Sequence, residues 1–342
     1  MECVVISVAL FNNKGGVGKT TLTYHLAHML QRLGHRVLAV DLDPQSNLTA
    51  AFLDEEDLEE VWREPNGVPV SSGESGHAPT VAAAVKPIMV GMGDIRPCEP
   101  IRIAEGLWLL AGDLTLSSFE DRLSEAWPKG FTGDPAALRT TTAFHRILQT
   151  AGREVDADIA LIDVGPNLGA INRAALLAAD TVLVPLAADL FSLRGLRNLG
   201  PTLRMWRRTW HHKVMPDLPP GIEAPVGRMR PLGYVIMQPT MRLDRPVKAY
   251  QRWLDRIPEV FATSVLDEPG SGVTRKAYEI ATLRNYQSLM PLSHDARKPM
   301  FDLRSADGAL GSTQTLVQRC YQDFRLLSEK LLQRLDDLRA GS

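Results

Sequence analysis

A glycine-rich segment at residues 14–21, Lys-Gly-Gly-Val-Gly-Lys-Thr-Thr, constrains the fold more than any other part of the sequence. It follows an apolar run at residues 4–10 and precedes a stretch at 22–33 whose leucines and methionines recur at helical spacing. A short apolar run without alternation is typical of a strand buried on both faces, and the later periodicity predicts a helix that stops at Gly34. Residues 37–40 predict a second strand. This region therefore reads as a β-loop-α-β unit.

The same alternation continues along the chain and predicts its fold class. Further buried strands are predicted at residues 107–110, 159–162, 182–186 and 234–237, with helical stretches between several of them. Such alternation is typical of an α/β fold with a doubly wound, mostly parallel sheet flanked by helices. We expect residues 1–342 to form a single domain, with an irregular insertion at about 54–100 and a proline- and glycine-rich loop at about 215–231.

The glycine-rich segment lies between a strand and a helix, a position that suits a bound phosphate. The backbone N–H groups of such a loop and the N-terminus of the following helix both attract anions, and glycines let the backbone approach closely. Lys19 would reach the β- and γ-phosphate oxygens, and the Thr20 hydroxyl would ligate Mg²⁺. A chance glycine-rich turn is the alternative, which the Gly-Lys-Thr ending disfavours. The candidate nucleotide-binding residues here are Lys14, Gly15, Gly16, Val17, Gly18, Lys19, Thr20 and Thr21.

Several segments of the sequence resemble a known family. Residues 14–21 resemble the deviant Walker A motif of the ParA/MinD family of dimeric ATPases. Residues 40–49 (Val-Asp-Leu-Asp-Pro-Gln-Ser-Asn-Leu-Thr) resemble its second motif, and residues 158–163 (Asp-Ile-Ala-Leu-Ile-Asp) resemble its Walker B strand. The Asp-Pro-Gln-Ser-Asn sequence and Arg-Lys-Pro at 297–299 make the chain more similar to ParA proteins of the Soj type than to MinD. Residues 164–166 are Val-Gly-Pro where ParA-like proteins usually carry a Pro-Pro pair, so the rate of hydrolysis is the property expected to differ.

The resemblance implies a P-loop NTPase fold of the deviant Walker A type, with ATP and Mg²⁺ as cofactors. It also implies that Lys14 reaches across a dimer interface to the partner's nucleotide, so that ATP bridges a homodimer. By position in the motifs, Asp43 would orient the attacking water and Asp163 would hold Mg²⁺ through a water. A turn or capping role for Asp43 before Pro44 is the alternative. The candidate catalytic residues are Lys14, Lys19 and Asp43, and the candidate metal residues are Thr20, Asp43 and Asp163.

The adenine contacts are predicted from family likeness alone. The resemblance points to the loop after the strand at 234–237 and to the segment near Pro291. Gln238 is the candidate contact in that loop, with an ordinary exposed amide as the alternative. Both residues are therefore candidate cofactor-binding residues.

A basic segment lies between Asp189 and Asp217, where the chain has six arginines and lysines and no acidic residue. Its leucines and tryptophans form one stripe at helical spacing, which predicts an amphipathic helix with a basic outer face. Exposed arginines can neutralise DNA phosphates without reading bases, and ParA-like proteins bind non-specific DNA when ATP is bound. A solvated face that pairs with acids such as those at 54–60 is the alternative. The candidate DNA-binding residues are Arg197, Arg204, Arg207 and Arg208.

The resemblance implies a slow, partner-stimulated ATPase that hydrolyses ATP to ADP and phosphate. Such a chain would dimerise around Mg-ATP, bind DNA non-specifically, and drive partition or positioning of DNA or other cargo with a ParB-like partner. Two alternatives stay open. One is a regulatory ATP-binding dimer that docks on protein partners without a DNA role, and the other is a MinD-like membrane-positioning ATPase.

Charge and hydropathy patterns bear on where the chain acts. The net charge of −2 gives no global attraction to nucleic acid or anionic lipid, so any such binding depends on local charge. The apolar run at 4–10 is too short to span a bilayer, which predicts a cytoplasmic location, with nucleoid association if DNA binding holds. An apolar stripe at 317–338 predicts a C-terminal helix that packs against the domain, so no membrane partner is expected.

Overall fold

The structure is a computed structural model that describes residues 5–63, 77–237, 248–269, 274–286 and 288–340. Within these residues the strands are β1 (Ile6–Leu10), β2 (Val37–Asp41), β3 (Ile101–Ala104), β4 (Leu107–Leu110), β5 (Ile159–Asp163), β6 (Thr181–Ala187), β7 (Arg230–Met237) and β8 (Glu279–Leu283). They form one sheet in the order β3-β4-β2-β5-β1-β6-β7-β8. Every strand predicted from an apolar run is present.

The sheet is mostly parallel, as the sequence predicts. Among the described strands, only the edge pair β3 and β4 runs antiparallel. The register places Asp163, the last residue of β5, beside Leu10 of β1 and Asp41 of β2. The carboxyl ends of β1, β2 and β5 therefore meet at one edge of the sheet, where open α/β sheets commonly bind ligands.

Helices connect the strands. They are α1 (Lys19–Arg32), α2 (Asn47–Phe52), α3 (Glu55–Val61), α4 (Val81–Met89), α5 (Phe119–Lys129), α6 (Pro135–Thr141), α7 (Ala143–Glu154), α8 (Ala170–Ala178), α9 (Leu190–Thr209), α10 (Lys248–Leu254), α11 (Ile257–Val260), α12 (Arg275–Tyr278), α13 (Met290–Ala296) and α14 (Ser312–Ala340). Two π-helical segments, Trp210–Val214 and Phe261–Leu266, extend α9 and α11. In the described parts of the chain, no helix is long and apolar enough to cross a membrane.

The two faces of the sheet are covered by separate hydrophobic cores. One core contains side chains of α5, α7, α8 and α9, among them Phe119, Phe144 and Trp206. The other contains side chains of α1 and α14, among them Leu22 and Phe324. Helices on both faces of a parallel sheet define a doubly wound α/β fold, which confirms the predicted fold class.

Two predicted amphipathic helices bury their apolar stripes. In α9 and the turn after it, the buried residues are Leu193, Leu196, Leu199, Leu203, Trp206 and Trp210. In α14 they are Val317, Cys320, Phe324, Leu327, Leu331 and Leu335. The apolar face of α14 therefore packs on the protein itself.

The segment at about 54–100 contains regular structure where the sequence indicated an irregular insertion. Its described parts include α3 and α4, and Ala78 is buried in a bridge to Cys98. Residues 64–76 lie outside the described residues. Between Leu218 and Met229, in the predicted proline- and glycine-rich loop, the backbone forms no helix or strand. The single-domain organisation stays a prediction.

Candidate functional site

The glycine-rich segment forms a tight turn between β1 and α1. Gly16 and Gly18 have φ angles of 71° and 85°, a left-handed conformation that glycine adopts without steric cost. Gly18 directly precedes α1, so the N-terminus of this helix lies at the end of the turn. The Asn12 side-chain oxygen accepts a hydrogen bond from the Lys14 N–H at 2.9 Å and fixes the entry to the turn. The resulting geometry directs backbone N–H groups and a helix terminus at one point, which suits an anion.

A cavity of about 630 Å³ opens in front of this turn. One wall is the turn and the start of α1, another comes from the segment after β2, and a third comes from α13. Its lining residues are Gly15, Gly16, Val17, Gly18, Lys19, Thr20, Thr21, Tyr24, His25, Asp43, Gln45, Asn47, Ala50, Ala51, Pro166, Met290, Ser293, His294 and Arg297. This size and lining suit a nucleotide.

Lys19 provides a buried cation at the base of the cavity. Its side chain is 7% exposed, and its Nζ lies 3.4 Å from the Asn12 carbonyl oxygen. Burial lowers the pKa of Lys19, while the nearby carboxylates of Asp163 and Asp43 act in the opposite direction. A buried cation in the first turn of α1 is positioned to bind phosphate oxygens.

Thr20 and Asp163 meet at the carboxyl edge of the sheet. The Thr20 hydroxyl donates a hydrogen bond to Asp163 Oδ2 at 2.6 Å. Burial, and then repulsion from Asp41, raise the pKa of Asp163, whereas the bond from Thr20 opposes this rise. Hydroxyl and carboxylate oxygens suit Mg²⁺, which usually takes few protein ligands and completes its shell with phosphates and waters. The described residues contain no cluster of three or more His, Cys, Asp or Glu side chains that would hold a metal alone.

Asp43 lines the cavity but also holds a turn. Its Oδ1 accepts the N–H of Gln45 at 3.0 Å, which is the turn role considered as the alternative. The carboxylate also faces the loop after β5, since a Cβ on Gly165 would lie 3.4 Å from Asp43 Oδ1. The catalytic and metal roles of Asp43 stay predictions.

Asp41 has a structural position behind Asp43. Its Oδ2 accepts hydrogen bonds from the Thr49 N–H at 2.8 Å and from the Thr49 hydroxyl at 2.7 Å. Burial raises its pKa to about 6, although the bonds from Thr49 act against this. Asp41 therefore fixes α2 against the sheet and lies behind the cavity wall.

Lys14 points away from the cavity that its own chain forms. Its ammonium group forms an ion pair with Asp189, the residue that caps the N-terminus of α9, and lies 5.9 Å from the centre of the Phe191 ring. Phe191 is 67% exposed, which is unusual for a large apolar side chain. The structure thus places Lys14 at the surface beside an exposed aromatic ring.

The far wall of the cavity comes from α13 and was predicted only in part. Pro291 lies in the first turn of α13, whose neighbouring residues Met290 and Ser293 line the cavity. Gln238 lies outside the described residues. Sequence reasoning missed Tyr24 and Arg297, because this wall joins segments that are far apart in the chain and share no motif. The signal that the sequence does contain is the Arg-Lys-Pro segment at 297–299, and in the structure the Arg297 backbone has a φ of 48°, which is unusual for a non-glycine residue.

The four candidate DNA-binding arginines divide into two pairs. Arg197 and Arg208 are exposed. Arg204 donates to the Ser264 carbonyl oxygen at 2.7 Å, and Arg207 donates to the Met229 carbonyl oxygen at 2.8 Å. Arginine side chains that already bond backbone carbonyl oxygens elsewhere in the chain are less available to DNA phosphates. The exposed pair, Arg197 and Arg208, is therefore the better candidate.

Residues 5–215 match the model of a protein family described as AAA domain. The chain belongs to this family. The chromosome-partitioning ATPase Soj of Thermus thermophilus is 33% identical over 206 residues, which cover 59% of this chain and 63% of Soj. The chromosome partitioning protein ParA of Caulobacter vibrioides is 30% identical over 202 residues, which cover 58% of this chain and 62% of ParA. The predicted resemblance to ParA and Soj is thereby confirmed.

A solved structure extends the likeness along most of this AAA-domain chain. A protein of Corynebacterium diphtheriae superposes with a TM-score of 0.66 and 27% identity, covering 86% of this chain and 97% of that one. The two curated relatives, in contrast, are matched over less than two thirds of their length. The region that the AAA-domain family model matches, residues 5–215, includes the glycine-rich turn, Asp43, Asp163 and α9, and it ends before α13.

Proposed function

We propose that the chain is a Mg-ATP-dependent, dimerising ATPase of the ParA type. In this proposal its ATP-bound dimer binds DNA non-specifically and drives partition or positioning of DNA or other cargo with a ParB-like partner. The observation that carries the proposal is that Lys19 and Thr20 line one nucleotide-sized cavity, while the buried Asp163 lies directly behind them and accepts a hydrogen bond from Thr20. Membership of the AAA-domain family and the likeness to Soj and ParA support it.

Different residues in and behind the cavity would have different roles in phosphoryl transfer. The glycine-rich turn and Lys19 would hold the phosphates, while Thr20 and Asp163 would hold the metal, Asp163 through a water. When bound, Mg²⁺ would neutralise charge that develops on the phosphate oxygens. Asp43 would orient the attacking water, with its second carboxylate oxygen available beside the turn that its Oδ1 maintains. Lys14 of a partner subunit would add a further cation to those that the chain itself supplies, Lys19 and Arg297.

The DNA contact in this proposal uses the exposed face of α9. Arg197 and Arg208 would contact phosphates, whereas Arg204 and Arg207 would mainly stiffen the helix through their bonds to neighbouring carbonyls. A dimer would present two such faces, which increases affinity for a polyanion. Cytoplasmic location with nucleoid association would follow from DNA binding of this kind.

The test is a titration of random-sequence duplex DNA with protein that carries ADP or a non-hydrolysable ATP analogue, at several salt concentrations. Binding should require the analogue and should weaken with salt. The double variant Arg197→Ala/Arg208→Ala should lower the salt dependence by about four units of slope, because a dimer presents both arginines on each of its two faces. Arg102→Ala/Arg319→Ala removes the same charge from exposed positions away from α9 and should bind like the wild type.

Failure of the wild type to bind DNA in either nucleotide state would overturn the DNA part of the proposal. The chain would then fit a regulatory ATP-binding dimer that docks on proteins. The observation that favours this second candidate is that Arg204 and Arg207 are already bonded within the chain. A MinD-like role has less support, because α14 buries its apolar stripe.

Lys19→Ala tests the catalytic part. This change should abolish hydrolysis of ATP, measured as released phosphate, and Lys86→Ala, at an exposed position of α4, should leave the rate unchanged. Hydrolysis by Lys19→Ala at the wild-type rate would overturn the assigned phosphate site.

A further inference from the structure

Glu120 of α5 binds the N-terminus of α8, although the two residues it contacts lie fifty positions further along the chain. Its Oε1 accepts the Ala170 N–H at 2.5 Å, and its Oε2 accepts the Ile171 N–H at 2.8 Å. The first N–H groups of a helix have no partner within that helix, and a carboxylate there is also favoured by the helix dipole. A side chain from another element therefore supplies the N-terminal cap of α8.

The backbone at the start of α8 is shaped for this carboxylate. Gly169, the residue before α8, has no side chain that could cap the helix. A Cβ at Gly169 would lie 2.6 Å from Glu120 Oε1, too close for any real contact. The N–H of Gly169 itself donates to the Asn167 side-chain oxygen at 2.8 Å. The absence of a local cap and the close approach of Glu120 thus occur at the same position.

Helix α8 in turn holds the loop that follows Asp163. The buried Asn172 side chain donates from Nδ2 to the Gly165 carbonyl oxygen at 3.0 Å and to the Asn167 carbonyl oxygen at 2.7 Å. Gly165 faces the Asp43 carboxylate, and Pro166 lines the nucleotide cavity. A shift of the first turn of α8 would therefore move Asn172, the loop at 164–167 and the surroundings of Asp43 together.

We propose that Glu120 is a positioning residue for ATP hydrolysis. Through the first turn of α8 and Asn172, it fixes the loop at 164–167 beside Asp43 at the place where the terminal phosphate and the attacking water would lie. This inference rests on the function proposed above. Glu120 does not line the cavity, and the loop that it supports contributes only Pro166 to the lining, so we expect Glu120 to act on the rate of the chemical step far more than on the affinity for ATP.

The first test measures steady-state hydrolysis of ATP by Glu120→Ala, Glu120→Gln and the control Asp121→Asn. Misplaced reacting groups slow chemistry strongly, so Glu120→Ala should lower kcat about tenfold while KM for ATP stays within about twofold. Glu120→Gln keeps one carbonyl oxygen as an acceptor and should recover part of the rate. Asp121 is the exposed neighbour of Glu120 in α5, and Asp121→Asn removes the same charge as Glu120→Gln, so it should behave like the wild type.

The second test does not depend on activity. Amide hydrogen exchange in the nucleotide-free protein should become at least about tenfold faster at residues 164–171 in Glu120→Ala, because two N–H groups lose their acceptor and the loop loses its support. Exchange at residues 14–30 should be unchanged, which shows that the variant is folded. Glu120→Gln should show a smaller increase in the same residues.

These measurements separate the inference from the function on which it rests. Unchanged exchange at 164–171 in Glu120→Ala, or an equal loss of kcat and rise in KM, would overturn the positioning role. A wild-type protein that hydrolyses no ATP under any condition would overturn the proposed function, while hydrogen exchange would still decide whether Glu120 holds the loop.

Discussion

Gly200 in the middle of α9 is required by a backbone-to-backbone contact. A Cβ at this position would lie 1.8 Å from the Ser264 carbonyl oxygen and 2.6 Å from the Val265 Cα. The helix therefore packs directly against the segment Phe261–Leu266, and it continues without interruption through Pro201. Glycine lowers the helix propensity of α9 at this position, but it is the residue that allows the two backbones to approach so closely.

Gly200→Ala should destabilise the protein. Alanine gains up to about 1 kcal/mol of helix propensity, but overpacking against a backbone commonly costs about 3 kcal/mol, so we expect a net loss of about 2 kcal/mol. Urea denaturation measures this as a lower midpoint. Asn198→Ala, at an exposed position of the same helix, should be neutral or slightly stabilising. Equal midpoints for the two variants would contradict the close packing at Gly200.

His25 is a fully buried histidine in the wall of the cavity, held in one tautomer. Its Nδ1 lies 2.7 Å from the Thr21 carbonyl oxygen and therefore donates, while its Nε2 accepts the Met300 N–H at 3.0 Å. A proton added to Nε2 would displace the Met300 bond. Burial lowers the pKa of His25 to about 4, and burial also lowers the pKa of the neighbouring His28, to about 3.

This lowered pKa predicts a loss of stability in mild acid. Between about pH 6.5 and pH 4 the unfolded chain binds a proton at His25 that the folded chain does not, so stability falls as pH falls. At about pH 5 the loss from His25 should approach 2 kcal/mol. Urea denaturation at several pH values measures this loss as the difference between the wild type and His25→Gln, whose profile should be flatter. The lowered pKa of His28 adds to the slope of both proteins, whereas the raised pKa of Asp41 opposes it in both. A profile that stays as steep in His25→Gln would contradict this assignment.

At the scale of elements, Trp210 joins the end of α9 to α5 and to the proline- and glycine-rich loop. Its ring stacks on Trp127 with an interplanar angle of 9° and a centroid distance of 6.2 Å. Its Nε1 donates to the Pro225 carbonyl oxygen at 2.9 Å. Gly227 has a φ of 67°, and a Cβ there would lie 2.5 Å from the Trp210 ring. One buried side chain therefore orders this loop, which the sequence indicates only by its many prolines and glycines.

Trp210→Ala should cost about 3 to 5 kcal/mol, because it removes a fully buried aromatic side chain and leaves a cavity. Denaturation in urea gives the free energy of unfolding. Met205→Ala, on the exposed face of α9, is the matched control and should change stability by less than about 0.5 kcal/mol. Similar losses in both variants would show that α9 does not depend on its buried stripe.

For the whole molecule, the direction of the Lys14 side chain is relevant to whether two copies of the chain form a dimer. Within one chain it pairs with Asp189 beside the exposed Phe191, outside the cavity. If Lys14 completes the cavity of a second copy, as the resemblance implies, Lys14→Ala should bind the nucleotide yet fail to dimerise. Light scattering with a non-hydrolysable ATP analogue should give a monomer mass for this variant and a dimer mass for Lys86→Ala. A Lys14→Ala dimer of unchanged affinity would exclude the bridging role.

The predictable part of the fold is the part whose residues carry a local signal. β1, β2 and β4 to β7 are buried and apolar, so the sequence alone predicts them, whereas β3 and β8 are edge strands with half-exposed residues and no apolar run. The candidate site likewise has a part that the sequence predicts and a part that it does not. Lys19, Thr20 and Asp163 follow from motifs, but the wall at Tyr24 and Arg297 comes from segments that meet only in space.

The α/β class, the glycine-rich turn and the apolar stripes of α9 and α14 follow from the amino-acid sequence alone, because each depends on residues that lie close together along the chain. The exposure of the α9 arginines, the direction of Lys14 and the capping of α8 by Glu120 become visible only in the folded chain. These features depend on pairings between residues far apart in the chain, such as Arg204 with Ser264 and Glu120 with Ala170. A linear pattern does not encode such distances, since packing of the finished sheet and helices brings the partners together.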